Sequence, residues 1–273
     1  MTGLQSRFDW YELTADHLDD GRVSAGLALA LGATVARGKG RNGYSRADLV
    51  QRGDDVLATV YGGSARSGEV HVTITGGACD EVVPVVRRLW PAHRVSRADS
   101  ALDFAADFEQ LRSTAIAFAV ERGLKWSEIT NSEGGATLYV GSRTSEVMLR
   151  LYKKSEEQQQ KHPDRLADIP EGIVRAELVA RPGKRDVKER VGGMAPDDVW
   201  GLGQWAHAFA EAVLQLAPVR TVTHFRRPSD WSRALHFLGQ QYGPSVARQL
   251  EVRPAADVAA ELLRAFGLGA VIA

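Results

Sequence analysis

Between Val70 and Thr75 the apolar residues Val70, Val72 and Ile74 alternate with His71, Thr73 and Thr75, the period of a half-buried strand. Similar apolar segments predict strands over Phe8–Thr14, Val56–Tyr61, Arg94–Phe104 and Ile173–Arg181. Thr137–Val140 and Val147–Tyr152 predict a hairpin around Gly141–Ser145. Helical spacing predicts helices over Val23–Val35, over Cys79–Leu89 despite Pro84, and through Phe108, Leu111, Ala115, Phe118 and Ala119. Glu156–Lys161 is polar and helix-prone, and His162-Pro163 ends it. Arg37–Gly43 reads as a basic, glycine-rich loop. It lacks the glycine–lysine spacing of a phosphate-binding loop, which leaves a connector or an arm touching phosphates.

The order of elements hints at a duplicated half-fold. A hairpin, a helix and a strand with Arg97-Ala98-Asp99 precede a hairpin, a helix and a strand with Arg175-Ala176-Glu177. After about Pro196 the pattern turns helical. Leu202, Trp205, Phe209, Val213 and Leu216 form one stripe. Ser229 caps a helix through Trp231, Leu235 and Leu238; Tyr242-Gly243-Pro244 breaks it, and Ser245–Leu250 restarts it. Val258, Leu262 and Phe266 mark a last helix stopped by Gly267. Two regions are therefore expected, 1–195 and a helical 196–273.

With 273 residues, the chain is long enough for a substantial core, and its 25% charged residues are ordinary for a globular protein. The single cysteine, Cys79, forms no internal disulfide, so a reducing cytoplasm is the expected setting. No run of about 20 apolar residues predicts a membrane span. The apolar stretch from Ser24 to Ala36 follows Asp16, Asp19 and Asp20, which does not suit a secretory signal. Formal net charge is zero, unlike a passive nucleic-acid coat. The charge is uneven, however: Pro218–Arg248 holds five arginines, Arg226, Arg227 and Arg233 among them, against one acid. That segment is either a solvated basic face or a DNA grip.

The chemistry concentrates in Leu149-Arg150-Leu151-Tyr152-Lys153-Lys154. Cations beside a phenol favour the phenolate and hold phosphate oxygens. Two readings stand: a tyrosine that attacks a phosphodiester, or a sheet-edge tyrosine beside solvated lysines. Asp99 and Asp103 share one face of their strand, and Glu177 alternates with apolar neighbours on another. Oxygen ligands from separate strands suit Mg²⁺ or Mn²⁺. The alternative pairs Asp99 with Arg97 or Arg175. His71 is read as a rim histidine, and no Cys/His cluster suggests zinc.

Taken in order, these motifs resemble the replication initiation factors of the Rep_trans type. Val95–Phe104 is similar to that family's R-x-D-x-x-x-D strand. Thr137–Arg143 with Leu149–Glu156 resembles its YxGSR…RxYxK…E signature, and Val174–Leu178 its R-x-E strand. Phe8-Asp9-Trp10 and Ile74–Cys79 fit the N-terminal half, and Ser229–Ala234 with Gln241–Pro244 the tail of initiators from filamentous-phage-like elements. The resemblance implies an α+β fold related to the His-hydrophobe-His endonucleases, with a central antiparallel sheet flanked by helices. It implies a rolling-circle initiator that nicks one origin strand, keeps the 5′ end and leaves a 3′-OH for a polymerase, with a host helicase as further partner. Tyr152 takes the nucleophile position, with Arg150, Lys153 and Lys154 around the phosphate. Asp99, Asp103 and Glu177 match the acidic positions, and Arg143, Arg226, Arg227 and Arg233 are candidate DNA contacts. Two other functions compete: a non-catalytic origin- or operator-binding protein, and a relaxase-like enzyme that mobilises DNA. A helix–turn–helix outline over Pro228–Leu250 suits a major-groove reader or a helical cap on the sheet.

Overall fold

The structure is a computed structural model and describes residues 5–16, 18–64, 69–131, 135–221 and 230–265. Two compact units emerge, Met1–Thr223 and His224–Ala273.

The first unit is built on one ten-stranded sheet in the order β2-β3-β4-β5-β1-β6-β10-β9-β8-β7. Its strands are β1 (Arg7–Asp16), β2 (Thr34–Lys39), β3 (Tyr44–Arg52), β4 (Asp55–Ser64), β5 (Glu69–Thr75), β6 (Arg94–Ala105), β7 (Trp126–Thr130), β8 (Ala136–Val140), β9 (Val147–Lys153) and β10 (Ile173–Ala180). Every pairing is antiparallel. Helices α1 (Asp20–Leu31), α2 (Ala78–Leu89), α3 (Phe108–Glu121), α4 (Lys154–Lys161), α5 (Arg185–Gly193), α6 (Pro196–Val199) and α7 (Gln204–Ala212) flank it. The expected α+β architecture is therefore present. The order strand, helix, meander, helix, strand occurs as β1-α1-β2-β3-β4-β5-α2-β6. It recurs, without its own first strand, as α3-β7-β8-β9-α4-β10. The closing strands β6 and β10 lie side by side in the sheet.

One sheet face is apolar. Tyr11, Leu13, Val72, Ile74, Ala98, Leu102, Leu149, Leu151, Ala176 and Leu178 alternate onto it and are buried. Segment 196–216, assigned to the helical C-terminal region by its sequence, packs on this first unit because its stripe is too apolar for water. Trp200 is fully buried there, its indole Nε1 donating to Ser100 Oγ at 2.9 Å, and Phe209 meets Phe118 edge-on at 5.2 Å.

Tyr11 and His93 close the same layer. The tyrosine hydroxyl lies 2.7 Å from His93 Nε2, and His93 Nδ1 lies 2.7 Å from the Trp90 carbonyl. The carbonyl fixes the proton on Nδ1, so Nε2 accepts from the phenol. Burial pushes the His93 pKa below its ordinary 6.5. A depressed histidine stabilises the fold fully above pH 6.5 and ceases to do so as pH falls through the folded value. Thermal melts of the wild type should therefore drop more steeply below pH 6.5 than those of His93→Gln; parallel curves would refute this role.

Several elements differ from the sequence reading. α1 stops at Leu31, because Gly32 turns left-handed (φ 59°) and its N–H caps Ala28 and Leu29. Val35 therefore belongs to β2, and Arg37–Lys39 is strand rather than loop. β3, β7 and α5 are additional. α7 ends at Ala212, short of the expected stripe; Gln215 follows at φ 55°, and Leu216 beyond it is still buried.

In the second unit, α8 (Asp230–Leu250) is one continuous helix, followed by α9 (Ala255–Ala265). The break expected at Tyr242-Gly243-Pro244 does not occur, so no helix–turn–helix forms within 230–250. Pro244 forfeits one backbone bond and the helix runs through it. Ser229, Phe266 and Gly267 lie outside the described residues. Among the described residues, no helix is long and apolar enough to cross a membrane.

Candidate active site

The other sheet face carries the charges. Alternation brings Trp10 and Glu12 of β1, Arg97, Asp99 and Asp103 of β6, Arg175 and Glu177 of β10, and Arg150 and Tyr152 of β9 to one side. β10 sits between the other two strands, setting Glu177 opposite both Ala101 and Arg150, and Arg175 opposite both Asp103 and Tyr152. Helix α4 lies over this face; Ser155 Oγ accepts the Ile173 N–H at 2.9 Å and bonds the Pro170 carbonyl. Between α4, β1 and the Thr75-Gly76-Gly77 corner opens a cleft of about 520 Å³. Tyr152, Glu177, Asp99, Arg150 and Lys154 all line it.

Two ionic groups fill the floor. In the first, Asp99 and Glu177 are each 1% exposed, and the Glu177 charge adds to the upward push on Asp99. Arg97 bridges Asp99 through both its arms, Nε at 2.9 Å from Oδ1. Arg150 Nη1 bonds Glu177 Oε1 at 2.8 Å. Burial pushes the Asp99 carboxyl up to about 7, against the pull of Arg97. Neighbouring like-charged carboxyls repel, which favours a proton or a cation beside them.

The second group centres on Arg175, 1% exposed. Its Nε and Nη2 grip Asp103 at 2.5 and 2.6 Å, and its Nη1 bonds Asp9 at 2.7 Å. Arg7 adds a contact to Asp103 at 3.1 Å.

Tyr152 sits beside the first group. Its ring is 8% exposed and its hydroxyl lies 3.4 Å from Glu177 Oε2. Arg150 stands 5.4 Å and Lys154 5.8 Å from the ring centroid. The expectation that these cations favour the phenolate is overturned. Burial and the Glu177 charge push the phenol pKa up, and Arg175 and Arg150 offset only part of that.

The remaining candidates disperse. Lys153 follows Tyr152 on the strand and so points to the opposite face, its Nζ 5.6 Å from the Phe108 ring and paired with Glu156 at 3.0 Å. Lys154 is paired with Glu157. Arg143 lies over the Tyr139 ring at 4.7 Å and does not line the cleft. Asp103 is held by Arg175, away from the Asp99–Glu177 pair. The Asp99–Arg97 pairing that the sequence left open does form. Arg226 and Arg227 lie outside the described residues, as does the side chain of Arg233. His71 stacks on Tyr44 at 5.8 Å, and its pKa is lowered by burial. Sequence reasoning passed over Asp9, Arg7 and Trp10 as parts of this site. Alternation with Glu12 accounts for Trp10, and an irregularity in β1 between Phe8 and Trp10 brings Arg7 and Asp9 to the same side, which no sequence period signals.

Among the described residues, no three His, Cys, Asp or Glu side chains assemble into a metal-binding group. The Asp99–Glu177 pair nevertheless suits a hard divalent ion. Mg²⁺ commonly takes one or two carboxylates and completes its shell with water and phosphate oxygens. A cation would also offset the Glu177 charge that, with burial, raises the Asp99 carboxyl.

A solved structure of a rolling-circle replication initiator protein from Geobacillus stearothermophilus superposes with a TM-score of 0.53, covering 87% of this chain and 96% of that chain at 19% identity. Residues 94–188 of this chain match the Rep_trans replication initiation factor family. That region runs from β6 into α5 and contains Asp99, Asp103, Arg150, Tyr152, Arg175 and Glu177. The N-terminal motifs and the tail on which the resemblance also rests lie outside it. No curated protein matches the chain.

Proposed function

We propose that this protein initiates rolling-circle DNA replication by nicking one strand at its origin with Tyr152. The Tyr152 oxygen attacks a backbone phosphorus, the bond to O3′ breaks, and the DNA keeps a 5′-phosphotyrosine. The phenolic proton passes to Glu177 Oε2, and solvent water gives a proton to O3′ as it leaves, producing the free 3′-OH that a polymerase extends. The observation that carries this reading is the Tyr152 hydroxyl at 3.4 Å from a buried carboxylate within the matched region.

Arg150 supports it. Its Nη1 is spent on Glu177, but its Nε is buried without a hydrogen-bond partner, a donor suited to a non-bridging phosphate oxygen. Lys154 adds positive charge at the rim. A divalent ion, Mg²⁺ or Mn²⁺, held by Asp99 and Glu177 would supply Lewis-acid polarisation of the phosphate. Asp103 orients Arg175 and holds no ion in this reading. Residues 1–195 would carry the chemistry, and the basic residues beyond them would hold origin DNA.

The test mixes the protein with Mg²⁺ and labelled single-stranded DNA from its own element. A labelled protein band that survives boiling in detergent is expected. Salt-sensitive binding without that band would leave a sequence-specific DNA-binding protein instead. Glu177→Gln and Asp99→Ala should each slow cutting by roughly 10²–10³-fold, the loss typical of removing one proton-transfer or charge-stabilising group. If both variants keep the wild-type rate and the wild-type response to Mg²⁺ and Mn²⁺, neither residue belongs to the site.

A further inference from the structure

Trp10 lines the same cleft as Tyr152, on the β1 side, beside the Thr75-Gly76-Gly77 corner. The Arg97 guanidinium lies 4.3 Å from its ring centroid. Both planes are fixed without any ligand. The indole Nε1 donates to Glu12 Oε1 at 2.9 Å, and Arg97 is gripped at both arms by Asp99. The corner beside them is open: a Cβ added at Gly77 would meet nothing within 4 Å.

We infer that the Trp10–Arg97 stack is a platform for one unpaired nucleobase of the DNA strand, next to the position where Tyr152 cuts. This rests on the reading of the cleft as a nicking site. The charge of Arg97 is already matched by Asp99, so the pair offers little to a phosphate. What it offers is flat, polarisable surface, which suits the π-face of a base; guanidinium planes and indoles are the two side-chain surfaces on which bases stack. Because both planes are held in place beforehand, binding a base costs little side-chain ordering. Arg150, on the far side of the cleft and with its Nε unpartnered, is left for the phosphate. A strand is thereby held at two chemically different points, which sets which phosphate faces Tyr152.

The test uses the full chain carrying Tyr152→Phe, so that cutting does not enter the measurement. Single-stranded oligonucleotides tiled from its own replicon, each with one abasic site moved a nucleotide at a time, are titrated against this chain and against the same chain with Trp10→Ala. One abasic position should weaken binding about ten-fold or more. Trp10→Ala should lose a similar factor on the intact strand and be indifferent to that abasic position, and Trp10→Phe should recover most of the loss. A merely structural tryptophan would weaken every oligonucleotide alike and leave the abasic effect intact. Additive losses, or no sensitive position, overturn the platform. If the Tyr152-bearing chain still forms its covalent adduct in that case, only the platform falls; if no oligonucleotide binds at all, the nicking reading falls with it.

Discussion

Tyr152→Phe is expected to bind single-stranded origin DNA and to cut none of it. The substitution removes one oxygen from a ring that stays packed, so the sheet should fold as before; the bond lost is the 3.4 Å contact to Glu177. Cleavage should fall by at least about a thousand-fold, as for removal of other covalent nucleophiles. The environment explains why the hydroxyl needs help. Desolvation and the Glu177 charge hold it as a neutral phenol. Under the proposed mechanism a proton acceptor must therefore act when the phosphate arrives, and Glu177 Oε2 lies within reach at 3.4 Å. Gel assays for the nicked strand and for the detergent-stable adduct read both outcomes. A phenylalanine chain that nicks at the normal rate would remove Tyr152 from the mechanism.

Arg175→Ala should be among the most destabilising single changes in the first unit. The side chain is almost wholly enclosed and is the common partner of Asp9 and Asp103. Deleting it leaves the two carboxylates with only the 3.1 Å contact from Arg7 to Asp103, and a void beneath them. Breaking such a pair typically costs about 3–5 kcal/mol; both acids retain some contact with water, so about 3 kcal/mol is expected here. For a unit of this size that is a fall in melting temperature of roughly 6–12 °C. Arg175→Lys should recover little, because a single ammonium cannot span two carboxylates in fork geometry. Calorimetry decides; a melting point within a degree or two of wild type would show the arrangement to be dispensable. Arg175 also stands across from Tyr152 in the β9–β10 register, so its loss should weaken nicking beyond what instability explains.

The sequence exposed strands where alternation was strong. β5, β6, β9 and β10 were legible, and with them Asp99, Tyr152 and Glu177. β2 and β3 were not, because Arg37-Gly38-Lys39 and Tyr44-Ser45-Arg46 look like loop residues until pairing buries their neighbours Ala47, Asp48 and Val50. Pro244 suggested a break because local propensity ignores how much helix surrounds a proline. The site was legible as a set of residues but not as an arrangement. Nothing near Tyr152 in the chain shows that burial would outweigh the adjacent cations, or that the nearest carboxylate comes from another strand. The opposed direction of Lys153, by contrast, follows from strand alternation alone.

β6 and β10 adjoin in the middle of the sheet although the whole second meander separates them in the chain, and β1 slots between β5 and β6. Antiparallel partners so far apart cannot zip up in sequence order. As the polypeptide leaves the ribosome, the segment bearing the phenol emerges before the segment bearing its acceptor. A nascent or truncated product ending before β10 would lack Arg175 and Glu177, so under the proposed mechanism competence to cut would arrive only with the last central strand.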